Sequence, residues 1–274
     1  MVAFVILHYK NFNDTIECID SIEKIEGKKK IIVVDNNSLN DEEIKILNNK
    51  TDDLILLEEN IGFAKANNKG INLSIKYKPE FVVVINNDIV IDDVNFIKKI
   101  ENNYKDYEFD MLGTKIISPG DSCNPFPVLK NKLELDIEIK RCNKLIKIYK
   151  NPLLYFLLQI YLNIKHFIKK PIKLENGKKL EKNVALHGCG IIFSKKYLEK
   201  YEHAFYNETF LYHEEEFLYQ RVLKDSLISI YDPNMVIYHK EGSSLNKIFD
   251  TNRKKKLFKE IERLKSLELL KDII

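Results

Sequence analysis

The residues best able to do chemistry gather in four short polar stretches. They are His8-Tyr9-Lys10-Asn11, Asp35-Asn36-Asn37-Ser38, Asn60-Ile61-Gly62-Phe63-Ala64 and Asn86-Asn87-Asp88. Each follows a run of apolar residues. Taken singly, each is an ordinary turn, because Asn, Asp and Gly are what turns are made of. Taken together, they are four polar turns at one edge of what reads as a parallel sheet, where such folds place nucleotides. Asp35, directly after an apolar run, suits hydrogen bonding to a base or ribose. Asn86-x-Asp88 offers the amide and carboxylate oxygens that hard Mg²⁺ or Mn²⁺ takes, with phosphates sharing the remaining positions. No GxGxxG follows the first apolar run and no GxxxxGK[ST] is present. A dinucleotide-binding Rossmann site and a P-loop are thereby disfavoured.

The elements that must position these turns are legible in the first 120 residues. Val2 to Leu7 and Ile31 to Val34 are continuous β-branched runs, as expected of strands buried on both faces. Ile16, Ile19, Ile22 and Ile25 between them mark one face of a helix, with Asp14 or Thr15 as its expected N-cap and Gly27 as its stop. Leu54 to Leu57 and Phe81 to Ile85 read as further strands. Helices are expected from near Phe63 and over about Val94 to Tyr104. This alternation predicts an α/β fold with a doubly wound, mostly parallel sheet. After Pro119 the pattern becomes irregular and Lys-rich, with an apolar helix at Leu153 to Ile164. Strand-like segments return at Ala185 to Phe193 and Ile228 to Tyr231, and a charged helix closes the chain from about Arg253 to Leu270.

VVDNNS, NIGFAKANN and INND, in this order and spacing, resemble family 2 glycosyltransferases of the GT-A fold. The branch most similar is that of rhamnosyl- and galactofuranosyl-transferase-like enzymes of bacterial surface polysaccharides. The resemblance continues in Gly188-Cys189-Gly190-Ile191-Ile192-Phe193, in Phe210-Leu211-Tyr212-His213-Glu214-Glu215 and in Tyr238-His239 with Ser243-Ser244. It covers nearly the whole chain outside residues 123 to 182. It implies a Rossmann-like GT-A domain with an inserted helical arm. Residues 1–120 would form the nucleotide-sugar half, 121–182 the arm, 183–245 the acceptor and catalytic-base half, and 246–274 a C-terminal helix. It implies that Tyr9, Asp35, Gly62, Phe63 and Asn67 contact the nucleotide, and that Asn86 and Asp88 stand at the metal motif. Asn in the first place of that motif leaves Asp88 as the main carboxylate ligand. His239 would add a metal or diphosphate contact, against the plain alternative of a strand-end histidine.

The chemistry asks for little more. Charge developing on a departing nucleoside diphosphate can be stabilised by Mg²⁺ or Mn²⁺ without a general acid. The acceptor hydroxyl needs a carboxylate base within hydrogen-bond reach. Glu214-Glu215-Glu216 supplies candidates, and the resemblance, in which Glu-Asp commonly stands where this chain has Glu214-Glu215, implies Glu215 as the first choice and Glu214 as the second. The alternative reading of such a triplet is a solvated helix start, favoured by the helix dipole. The aromatic and apolar neighbours on both sides place it instead at the edge of a core. Arg221, about two helical turns after Glu215, reads as a structural ion-pair partner, with a diphosphate contact as the alternative. The rival classes are a sugar-nucleotide nucleotidyltransferase and a non-catalytic nucleotide- or glycan-binding module. The former usually has a Gly-rich basic loop where Tyr9-Lys10-Asn11-Phe12 has no glycine.

Composition sets the outer bounds. The 274 residues are 45% hydrophobic and carry a net charge of +3, too apolar for disorder and too weakly basic for a nucleic-acid binder. The charge is uneven. Residues 128–182 hold 14 Lys or Arg against five Asp or Glu, a surplus of +9, leaving −6 for the rest. Within them the apolar helix carries a polar stripe of Gln159, Asn163, His166 and Lys170. The helix is short of the ~20 residues that span a bilayer. Its lysine flanks fit the surface of an anionic membrane, contacted through residues 150–170, and core packing or a homodimer contact are its other uses. Four scattered cysteines (18, 123, 142 and 189) form no CxxC pair, and Met1 to Leu7 lacks a basic leader. The expected location is cytoplasmic, peripheral at the inner face of the cell membrane. The expected partners are a nucleotide-diphosphate sugar and a glycan or lipid-linked glycan acceptor.

Overall fold

The computed structural model describes residues 1–120, 122–129, 131–168, 174–241 and 249–274, with the side chains of 165–168 left out. The continuous apolar runs form β1 (Val2–His8), β2 (Lys29–Asp35), β3 (Asp53–Leu56) and β4 (Phe81–Asn86). They pair in parallel in the order β3-β2-β1-β4. Central β1 is buried from end to end, as its lack of polar alternation requires. The crossovers are α1 (Phe12–Glu23), α2 (Asp41–Lys50) and α3 (Phe63–Ser74). Helix α1 begins earlier than expected, with Asn11 rather than Asp14 or Thr15 at its N-cap. The Thr15 hydroxyl is committed elsewhere, to His8 Nδ1 at 2.6 Å and Asn87 Nδ2 at 2.9 Å.

The second half completes the same sheet. In chain order it supplies β5 (Ile89–Val90), α4 (Phe96–Tyr107), β6 (Met111–Ile117), α5 (Lys132–Lys150) and α6 (Pro152–Ile168). There follow β7 (Glu181–Lys182), β8 (Gly190–Ser194), α7 (Lys195–Lys200), α8 (Glu214–Asp225), β9 (Ser229–His239) and α9 (Asn252–Leu270). The sheet runs on as β4-β8-β6-β9-β5, with β8 antiparallel to both neighbours and β9 parallel to β6. The expected strand over Ala185 to Phe193 is shorter and starts at Gly190. Residues 185–189 instead form a loop fixed by Asn124, whose Oδ1 accepts the His187 N–H at 2.6 Å. The expected Ile228–Tyr231 strand is the first part of the longer β9. Pro233-Asn234-Met235 bulge out of it between the pairs Asp232–Thr114 and Val236–Lys115.

Apolar residues fill both faces of the sheet, with Phe4, Ile19, Ile22 and Ile100 on one side and Val5, Val34, Phe193 and Phe205 on the other. A third cluster joins α5, α8 and α9 through Leu135, Ile139, Cys142, Phe217, Leu267 and Leu270. The irregular region expected at 120–182 therefore contains a long helix, α5, packed on the C-terminal helix. Its partner α6 is different. Leu153 (64% exposed), Phe156 (60%), Leu157, Ile160, Tyr161 and Ile164 all face outward. Tyr149 and Tyr155 meet edge-to-face at 5.8 Å at the junction of α5 and α6. Of the expected polar stripe, Gln159 is half-buried and Asn163 exposed, while the His166 side chain and Lys170 lie outside the described residues. No helix among the described residues is long and apolar enough to cross a membrane. All four cysteines are buried free thiols.

Candidate active site

A cleft of about 600 Å³ opens at the C-terminal ends of β1, β2 and β4. Its floor carries Tyr9, Asn36, Asn60, Asn86, Asn87 and Asp88. Gly62 and Phe63 at the start of α3 and the Phe210-Leu211-Tyr212 segment form one wall, and His239, Glu241 and Phe258 close it. The four polar turns noted in the sequence therefore meet in space. Part of their polarity builds the turns themselves. Asn36 Nδ2 donates to Asn60 Oδ1 at 2.9 Å, Asn36 Oδ1 accepts the Ile61 N–H at 2.9 Å, and Asn60 Oδ1 also accepts the Gly62 N–H at 3.0 Å. Asn87 Nδ2 donates to the Lys10 carbonyl at 3.1 Å, tying the end of β4 to the loop after β1.

Gly62 has a backbone reason to be glycine. Its φ of +88° lies in the left-handed region, and a Cβ there would stand 2.4 Å from the Phe210 carbonyl oxygen. The next residue uses that closeness, since the Phe63 N–H donates to the same oxygen at 2.7 Å. This seam joins the nucleotide-side turn to the chain leading into α8.

Two expected nucleotide contacts lie off the cleft. Asp35 is buried and caps its own turn, accepting the Ser38 N–H at 3.0 Å, the Ser38 hydroxyl at 3.0 Å and the Leu39 N–H at 3.3 Å. Burial raises its carboxyl pKa against those hydrogen bonds. Asn67 is fully buried in α3, where its Nδ2 donates to the Phe63 carbonyl at 3.0 Å. Neither lines the cleft, so the structure groups Tyr9, Gly62, Phe63, Asn86, Asp88 and His239 and leaves Asp35 and Asn67 behind them.

Asp88 and His239 face each other because β5 pairs with the end of β9, in the register Ile89–His239. Asp88 Oδ1 is 3.3 Å from His239 Nε2. Donors in adjacent positions of an octahedron with bonds of ~2.1 Å stand roughly 3 Å apart, so the pair fits two corners of a divalent-cation site. Among the described residues no cluster of three or more His, Cys, Asp or Glu is arranged to hold a metal, so the remaining positions would fall to water or ligand oxygens. Ser243 and Ser244, part of the same motif, lie outside the described residues.

The acidic triplet opens α8. Tyr212 and His213 both have positive φ, 72° and 68°, a sharp turn that sets the helix start. The three carboxylates then part company. Glu216 pairs with His213 Nδ1 at 3.1 Å. Glu214 is buried, with Oε1 lacking a hydrogen-bond partner, and burial with the neighbouring Glu215 charge pushes its pKa well up. Glu215 keeps some exposure, 12% of its side chain, and accepts the Gly188 N–H at 2.9 Å. Burial, with the Glu216 charge second, raises its pKa to about 7. Glu215 does not itself line the cleft, and Gly188 stands between it and the cleft residue Phe63.

His187 is a neighbour that sequence reading missed. Its Nδ1 lies 3.8 Å from Glu215 Oε1 but accepts the Cys189 N–H at 3.1 Å. Burial, reinforced by His239, lowers its pKa to about 4, so it is a neutral ring and no ion-pair partner of Glu215. It packs 6.4 Å from the His239 ring, linking the base candidate to the Asp88–His239 pair. A histidine beside a glycine-rich strand start carries no periodic signal that would single it out. Arg221 spends its guanidinium on the Tyr197 hydroxyl and on the His203 and Ala204 carbonyls, at 2.7 to 2.9 Å.

Comparison with known proteins agrees with this architecture. No curated protein matches the chain in sequence. Among solved structures, S. aureus TarS residues 1–349 in complex with UDP is similar at a TM-score of 0.55 and 12% identity, over 95% of this chain and 70% of that one. The mannosyltransferase PcManGT from Pyrobaculum calidifontis, in complex with GDP-Man and Mn²⁺, is similar at 0.53 and 12%, over 96% and 69%. GalNAc-T7 with UDP, GalNAc and Mn²⁺ is similar at 0.55 and 12%, over 88% and 44%. These likenesses establish the fold as that of GT-A glycosyltransferases. The sequence signature of glycosyl transferase family 2 matches residues 3–202, and the chain belongs to that family.

Proposed function

We propose that the protein is an inverting, metal-dependent glycosyltransferase using a nucleotide-diphosphate sugar. Its acceptor would be a glycan or lipid-linked glycan in cell-surface polysaccharide synthesis, and the group moved a hexosyl or deoxyhexosyl unit, as in the rhamnosyl- and galactofuranosyl-transferase-like branch. The observation that carries the reading is the presence of two different stations beside one cleft: a half-buried carboxyl, Glu215, near Phe63, and a carboxylate–imidazole pair at the end of β4. Tyr9, Gly62, Phe63 and Asn86 would receive the nucleotide. Asp88 and His239 would hold Mn²⁺ or Mg²⁺, with water and ligand oxygens in the remaining positions. When bound, the cation supplies positive charge to the departing diphosphate. Glu215 takes the proton of the acceptor hydroxyl while that oxygen bonds to the anomeric carbon and the bond to the diphosphate oxygen breaks. Attack from the face opposite the leaving group inverts the centre. Glu215 is favoured over Glu214 because it retains exposure and a hydrogen bond that supports its anion. UDP in the TarS and GalNAc-T7 structures and GDP-Man in PcManGT support a nucleotide-sugar donor.

The outward apolar face of α6, within the +9 arm, supports peripheral attachment to an anionic membrane, on the cytoplasmic side. The same face would otherwise pair with a second copy.

Thermal stabilisation by a panel of UDP-, GDP- and dTDP-sugars with Mn²⁺ tests the donor reading. A ligand at 100 times its Kd adds about 2.7 kcal/mol to the folded state. At least one nucleotide class should raise Tm in a Mn²⁺-dependent way and be consumed when acceptor is supplied. Transfer that survives both Asp88→Ala and Glu215→Ala would sink the mechanism.

A further inference from the structure

We propose that Ser122 and Glu241 are positioning residues that fix the His239 tautomer and so set the cation affinity of the Asp88–His239 pair. The proposal rests on the metal reading given above. It follows from counting protons along one row of contacts. Glu241 Oε1 stands 2.6 Å from Ser122 Oγ, and Ser122 Oγ stands 3.1 Å from His239 Nδ1. A carboxylate has no proton to give, so the single hydroxyl proton of Ser122 goes to Glu241. The serine oxygen is then free to accept, and among the described residues the partner on the ring side is an Nδ1–H. When the ring is neutral its one N–H is therefore the Nδ1–H, and Nε2 is left with a bare lone pair. That lone pair faces Asp88 Oδ1 at 3.3 Å, which is also an acceptor. Two acceptors at this distance repel unless a proton or a metal cation lies between them, and a cation that takes the proton's place meets both groups. The row therefore aims both groups at a cation. Histidines that bind metals commonly donate their other ring N–H to an oxygen in this way, and such partners are worth 10- to 100-fold in affinity.

The surroundings fix the row. The Ser122 N–H also donates to Glu241 Oε1, at 3.3 Å. Gly120 leaves the space the carboxylate occupies, since a Cβ there would stand 1.7 Å from Glu241 Oε2. The row thus ties the loop after β6 to the end of β9, two segments far apart in sequence. Nothing in the spacing of Ser122 and Glu241 hints at it.

Two measurements test the proposal. Nitrogen-15 NMR of histidine-labelled protein, without added metal at pH 8, reads the tautomer directly. Mn²⁺ titration followed by electron paramagnetic resonance reads affinity in wild type, Ser122→Ala and Ser122→Thr. We expect His239 to carry its proton on Nδ1, Ser122→Ala to weaken Mn²⁺ binding by about 10-fold or more, and Ser122→Thr, which keeps a hydroxyl, to restore most of it. A wild-type His239 protonated on Nε2, or a Ser122→Ala protein that binds Mn²⁺ as tightly as wild type, overturns the proposal. Wild type with the Nδ1–H tautomer but no Mn²⁺ binding overturns the metal reading and the affinity claim together. The spectrum, which needs no metal, separates that result from failure of the row itself.

Discussion

A carboxyl group serving as a base must lose its proton at the working pH, and burial delays that loss for Glu215. Its pKa is raised from the ordinary 4.5 to about 7, first by desolvation and then by the Glu216 charge. Two consequences follow with defined signs. Transfer should rise with pH through about 7 as the base is freed, and Glu215→Gln should lower the rate by roughly 10²- to 10⁴-fold above pH 7, a gap that narrows as the pH falls. The folded chain also holds a proton that the unfolded chain releases above about pH 4.5. This contribution to stability is complete below that pH and lost as pH climbs through about 7. Glu215→Gln, which does not titrate, should therefore match wild type in Tm at pH 4 and exceed it by roughly 7–14 °C at pH 8. A pH–rate profile and paired melts at the two pH values check both halves. A flat profile, with equal melting gaps at both pH values, would assign Glu215 a structural role. At this scale the sequence draws attention to Asp88 and Glu215, where chemistry and turn position coincide. Asp35 and Asn67, expected at the nucleotide, lie behind the cleft, where Asp35 accepts from its own turn and Asn67 Nδ2 donates to the Phe63 carbonyl. The sequence is silent at Ser122, His187 and Glu241, which matter only through contacts across the fold.

Elements hold these residues in place mainly through one seam, where the start of α3 meets the segment before α8. The Gly62 Cβ position is 2.4 Å from the Phe210 carbonyl oxygen, and Gly62 has a φ of +88°. Gly62→Ala must therefore either strain its own backbone or push away residues 210–212, which lead straight into the acidic triplet. Costs of this kind run to about 1–3 kcal/mol, or roughly 2–12 °C in Tm for a protein of this size. Activity should fall further than stability alone explains, because the displaced segment leads into the helix start that carries Glu215. Melting temperature and transfer rate, measured together at a temperature where the variant is folded, decide the point. Unchanged values in both would show that the seam yields easily. The same scale explains which elements could be read in advance. β1, β2 and β4 announce themselves because strands buried on both faces need unbroken apolar runs. β6 hides behind Gly113, Thr114 and Lys115, and β9 behind its Pro233 bulge. Helix α5 hides because only Leu135, Ile139, Cys142 and Tyr149 of its 19 residues are buried, against a helix more than 100 residues away.

At the scale of the molecule, a mildly acidic body carries a basic arm. Residues 128–182 hold a surplus of +9 against −6 elsewhere, and α6 presents Leu153, Phe156, Leu157, Ile160 and Ile164 to the outside. Two occupants could cover that face. A second copy would bring two like-charged arms together, whereas an anionic bilayer would satisfy the charge and the apolar surface at once. The arm also sits close to the cleft. Arg253 of α9 donates to the Tyr149 carbonyl at 2.8 Å at the foot of α6, and Phe258 of the same helix lines the cleft. Membrane attachment would thus hold the cleft near lipid-linked acceptors. We predict that the protein sediments with vesicles containing phosphatidylglycerol at low salt and not with neutral vesicles. Binding should weaken steeply as salt shortens the reach of the lysines below ~10 Å. Replacing Phe156, Leu157 and Ile160 together by Ser should abolish sedimentation while leaving Tm nearly unchanged, because those side chains are already exposed. A concentration-dependent dimer that the triple variant dissolves, with no vesicle binding by wild type at any salt, would assign the face to a second copy instead.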